Sequence, residues 1–79
     1  MTRYYFDLEF AQDAPSMDEE GMELPDASAA QAEATRTLCD VANQILAGGD
    51  QLVMLAVNVR DDAGPVLSAG INFRIGRVQ

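Results

Sequence analysis

The stretch LPDASAAQAEATRTLCDVANQILAGG, residues 24–49, decides the fold. Pro25 holds Leu24 extended, because its ring crowds the preceding residue out of the helical region. Asp26 follows as an N-cap: its carboxylate can accept from the free N–H groups of a first turn and complements the helix dipole. Gly48-Gly49 supplies a left-handed C-cap. Between these signals, at about 100° per residue, Ala27, Ala30, Ala34, Leu38, Val41, Ala42 and Ile45 share one face. Glu33, Arg36, Asp40 and Asn43 share the opposite face. The spacing predicts one amphipathic helix over 27–47. Its stripe is small at the alanine end and large at Leu38, Val41 and Ile45, so its first half can approach a sheet closely. Glu33–Arg36 and Arg36–Asp40 read as weak solvent pairs. Cys39 falls at the border of the stripe and reads as a buried, inert thiol.

Outward from the helix, the pattern changes to period two. Tyr4, Phe6, Leu8 and Phe10 alternate with Tyr5, Asp7 and Glu9, which predicts a half-buried strand over about 3–10. Pro15, Ser16 and a charge run make 11–20 a loop. Residues 21–24 read as a short acidic edge strand, hairpin-paired with the first. Beyond the helix, Val53, Leu55, Val57 and Val59 alternate with Met54, Ala56, Asn58 and Arg60 in a strand over about 52–60, apolar enough to sit away from an edge. Asp61-Asp62-Ala63-Gly64 is a type I turn with Gly64 left-handed, of the G1-bulge kind. A last strand covers about 66–75, and Gly70 in its middle signals a bulge or a close approach by something else.

The expected fold is therefore α+β, in the order β-β-α-β-β. One domain, residues 1–79, forms a four-stranded, mainly antiparallel sheet with the helix on one face. The other face is left bare, with Tyr5, Met54, Ala56, Val66, Ser68 and Gly70 on it.

Composition bounds the function. With 79 residues the chain is near the lower end of what folds alone. One cysteine and no histidine leave no intrachain disulfide and no structural zinc set. Self-association is the remaining route to extra stability, so a homodimer is expected through the open face or an edge strand. The net charge of −8, with five arginines and no lysine, disfavours direct contact with nucleic acid or anionic membranes. The first residues lack the apolar core of a signal peptide, and no apolar window reaches membrane length, so the expected location is cytoplasmic.

Catalytic constellations are not found. Asp7 and Glu9 lie about 7 Å apart on one strand face, as in any amphipathic strand, and nothing in the sequence suggests their burial. No histidine supports a triad, and no glycine-rich loop precedes a helix. The acids Asp18, Glu19, Glu20 and Glu23 form the one dense cluster, without the EF-hand spacing. The reading is a protein without enzymatic activity, cofactor or metal. Its candidate partner contacts are Asp18, Glu19, Glu20, Glu23, Tyr5 and Met54.

Three segments carry a resemblance: Arg3-Tyr4-Tyr5-Phe6; Asp18-Glu19-Glu20-Gly21-Met22-Glu23-Leu24-Pro25-Asp26 with the alanine-rich helix behind it; and the Asp61-Asp62-Ala63-Gly64 hairpin. Together they resemble a family of small alphaproteobacterial proteins of unknown function, over nearly the whole chain. The resemblance implies a fold and a bacterial cytosol, and no activity. A fainter similarity, to HicB-type antitoxins, rests on the tyrosine-rich strand, the acidic-glycine turn, Pro25-Asp26 and the alanine-rich helix. It implies an acidic binder that masks a basic protein through Asp18, Glu19, Glu20 and Glu23. The leading expectation is a self-associating interaction or structural module. The antitoxin-like binder comes second. A small-molecule or metal binder using the open sheet face comes third.

Overall fold

The computed structural model describes residues 1–11, 13–50 and 52–78. Gln12 of the expected loop and Gln79 at the end of the expected domain lie outside them. The elements are β1 (Thr2–Phe10), β2 (Met22–Leu24), α1 (Ala27–Ala47), β3 (Leu52–Asp61) and β4 (Gly64–Arg74). They form one sheet of order β2-β1-β3-β4 with every neighbouring pair antiparallel. The β-β-α-β-β reading holds, with β3 inside the sheet and β2 at an edge.

The helix begins and ends where its caps say. The Asp26 carboxylate accepts the Ala29 N–H at 2.9 Å, from an extended backbone that cannot join the helix. At the other end the Gly48 N–H reaches the carbonyls of Gln44 and Ile45, and Gly49 takes the left-handed conformation at φ +99°. The buried residues of α1 are Ala30, Ala34, Leu38 and Ala42, a single i, i+4 line. Three alanines let the helix backbone settle close to the sheet, so Leu38 is its one large buried side chain. Opposite lie Val53, Leu55, Val57 and Val59 of β3 and Tyr4 of β1. Each fully buried valine contributes about 1.5–3 kcal/mol.

The buried line is narrower than the sequence suggests, and three side chains move accordingly. Ala27, in the first turn, is exposed. Cys39 is exposed as well, because it stands about 100° round the helix from Leu38 on the solvent side. Glu33 leaves the solvated face: it precedes Ala34 as Val41 precedes Ala42, so it flanks the stripe, and its side chain is only 18% exposed. It holds Arg36 at 2.9 Å. The Arg36–Asp40 pair does not form among the described residues.

In the β3–β4 hairpin, Gly64 adopts φ +129° and no non-glycine residue has positive φ, as a type I turn requires. The Asp61 carboxylate accepts the Ala63 N–H at 2.8 Å and braces the turn. The register slips between Val59 and Arg60, which leaves Val66 as the extra residue. Gly70 is not the bulge. It pairs regularly with Ala56.

Candidate functional site

The face that α1 leaves bare is built by alternate residues of β1, β3 and β4. Antiparallel register brings Tyr5 opposite Arg60 and Asp7 opposite Asn58. The loop between β1 and β2 then folds back over this face. Gly21 makes the return possible. It sits at φ +72°, and a Cβ there would lie 2.9 Å from the Tyr4 carbonyl oxygen and from Tyr5 Cε2.

The loop is fastened by one side chain. Asp18 Oδ2 accepts the Phe6 N–H at 3.1 Å, in place of a strand carbonyl. Its Oδ1 accepts the N–H groups of Glu20 and Gly21 at 3.1 and 3.2 Å. Burial pushes this carboxyl upward; the three N–H groups and the nearby Arg60 charge outweigh it and hold it below its ordinary pKa. Asp18 in turn rests on Asp7, whose Oδ1 accepts the Asp18 N–H at 2.9 Å. Asp7 Oδ2 accepts from Arg60 Nε, also at 2.9 Å, and Arg60 Nη2 donates to the Asp18 carbonyl at 2.8 Å. The Arg60 guanidinium lies 4.4 Å from the centroid of the Tyr5 ring. Its hydrogen bond to Asp7 raises its pKa further.

Asp7 is thus 7% exposed, where the sequence offered no sign of burial. A carboxylate is tolerated there because both its oxygens are hydrogen-bonded and a cation faces it. Among the described residues no buried side-chain nitrogen or oxygen lacks a partner. Beside this clamp runs a second polar row: Ser68 Oγ donates to Asn58 Oδ1 at 2.7 Å, and Asn58 Nδ2 donates to Glu9 Oε1 at 2.9 Å. The open face is therefore more polar than expected around β1 and becomes apolar only toward Met54, Ala56 and Gly70.

The expected contact set divides. Glu19 and Glu20 are exposed at the loop. Glu23 is exposed and paired with Arg3 at 3.3 Å, while Arg3 also donates to the Glu20 carbonyl at 2.7 Å. Asp18 is turned inward as the fastener. Tyr5 is half-buried under Arg60. Met54 is 50% exposed but stands six residues from Arg60 along β3, about 20 Å away. The structure does not bring Met54 together with the acids. The pair the sequence reading missed is Asp7 and Arg60. Alternation already placed both on the bare face; their cross-strand register was the missing signal.

The clamp also closes an edge. β1 is paired with β2 from Thr2 to Tyr4, Phe6 is met by Asp18, and Leu8 exchanges both backbone hydrogen bonds with Ser16 at 2.8 and 2.9 Å. Among the described residues nothing pairs with the outer edge of β4, the other side of the sheet. Nor is any described helix long and apolar enough to cross a membrane, and no three His, Cys, Asp or Glu side chains among the described residues gather as a metal-ligand set.

Fold and face together define a small α+β domain with one sheet edge fastened and one open. Residues 3–72 match the family model described as Domain of unknown function (DUF6894), and the chain belongs to that family. No curated protein and no solved structure matches it.

Proposed function

We propose that this protein is a non-enzymatic, cytoplasmic interaction module that works by self-association. The observation that carries this is the unequal treatment of the two sides of the sheet. A side chain, a three-residue strand and a two-way bridge are all spent on closing the edge of β1, while the eleven-residue β4 keeps its outer backbone groups unpaired by the described residues. Unpaired strand edges recruit other strands unless charge, proline or a covering segment prevents it. The face chemistry supports the same reading, since the Asp7 and Asp18 carboxylates are occupied by their own chain. Sedimentation equilibrium tests the proposal: a mass of two chains is expected at micromolar concentration.

A second reading draws on Glu19 and Glu20, which stay exposed at the loop while Asp18 turns in. They make an acidic rim suited to a basic protein partner. That partner would co-purify at low salt and be released at high salt.

A further inference from the structure

We infer that the partner of β4 is β4 of a second copy, paired antiparallel about a two-fold axis through Gly70. The inference rests on the self-association proposed above and gives it a place and a register.

Backbone parity identifies the free groups. Leu8 turns its N–H and carbonyl away from β3, toward Ser16. In an antiparallel pair each residue directs both groups to one side, and sides alternate along the strand. Tyr5, Asp7 and Glu9 therefore bond across to Arg60, Asn58 and Ala56. Val57 and Leu55, one step out of phase, turn toward Ala69 and Ile71 of β4. Ser68, Gly70 and Asn72 are then left with both groups pointing outward.

A two-fold axis at Gly70 satisfies all of these groups at once. Gly70 exchanges two bonds with its own counterpart, and Ser68 does so with Asn72 of the second copy. The side-chain pairs agree with the faces. Leu67 meets Phe73 and Ala69 meets Ile71 on the helix side; Ser68 meets Asn72 on the open side. Apolar cross-strand pairs of this kind favour the register. Gly70 itself has no other explanation in the fold. A Cβ there would find only ordinary contacts, Leu55 O at 3.6 Å and Ala56 Cβ at 4.0 Å. A glycine on the axis leaves the open face of the paired strands flat where the two copies meet.

Charge selects the same edge. The chain carries thirteen acids, and β4 (GPVLSAGINFR) is the one element with none. Two copies of a −8 protein meet here with the least repulsion. Antiparallel pairing also sets Arg74 and Arg77 of one copy at the end where the other carries Asp61 and Asp62.

The test uses the full chain. Asn72→Pro removes an N–H that the fold does not use, whereas Ile71→Pro removes one bonded to β3. N72P should halve the sedimentation mass with an unchanged circular dichroism spectrum, and I71P should lose the fold. Independently, G70C on a Cys39→Ser background should oxidise to a disulfide-linked dimer. Paired Cα atoms of a hydrogen-bonded site lie about 5.5 Å apart, within disulfide reach. N72C on the same background should not cross-link, because its counterpart lies about 13 Å along the strand. A dimer untouched by N72P and without G70C cross-links overturns the β4 pairing and leaves self-association standing. A single-chain mass at all concentrations overturns both.

Discussion

Gly21 and Asp18 are the residues on which the open face depends. Gly21→Ala brings two penalties together, a left-handed backbone and a Cβ at 2.9 Å from a backbone oxygen that cannot move aside. A loss of about 2–4 kcal/mol is expected in urea denaturation. Asp18→Asn keeps the shape but removes the charge and sets an NH2 group against an N–H that an oxygen now accepts, for about 1–3 kcal/mol. Its signature is pH dependence. The folded carboxyl titrates below its ordinary pKa, so the unfolded chain binds protons first as pH falls. The stabilisation is complete above about pH 4 and is lost as pH drops from there through the depressed value. D18N should flatten that limb of the stability–pH curve. None of this was legible one residue at a time. Asp18 reads as one acid in a charged run, and Asp7 as the polar side of a strand. Only the return of the loop and the β1–β3 register make them partners.

The helix and strands were legible because each is specified locally. Asp26 and Gly49 mark the ends of α1 independently of its contacts, and period-two alternation survives in β1, β3 and β4. The width of the helix stripe was not legible. A wheel assigns seven residues to the buried face; Ala30, Ala34, Leu38 and Ala42 fill it, Val41 and Ile45 pack at its margin, and Ala27 is exposed. Leu38→Ala should therefore cost about 2–5 kcal/mol in chemical denaturation. Arg36→Ala should cost under about 1 kcal/mol, since the Arg36 side chain is itself 66% exposed. Comparable losses in the two variants would show that α1 is rotated from the orientation described. The bulge behaved likewise. Gly70 was the visible candidate, yet the slip fell at Val59 and Arg60, where the turn geometry propagates into the ladder.

As a whole the molecule is long and thin. Its extents are 52 × 23 × 17 Å and its radius of gyration 13.9 Å, against about 11.6 Å for a compact chain of this length. Such a shape has little interior, and a core dominated by valines and alanines reflects it. The proposed two-fold pair along β4 would continue the sheet to eight strands.

The Asp18 fastening has one more consequence. While it holds, β4 is the one long open edge among the described residues, and the proposed pairing about a two-fold stops at two. Acid releases the carboxylate and loosens the loop that carries the Leu8–Ser16 exchange, so the segment of β1 beyond β2 can open as a second sticky side. A subunit with two such sides can be joined at both, and growth no longer terminates. Lowering the pH through the depressed pKa of Asp18, below the ordinary carboxylate range, should therefore turn the proposed dimers into linear polymers, seen as rising light scattering with thioflavin binding. Asp18→Ala, lacking the latch, should polymerise already at neutral pH. Protonation state, through one side chain, would decide between a closed pair and an open fibre.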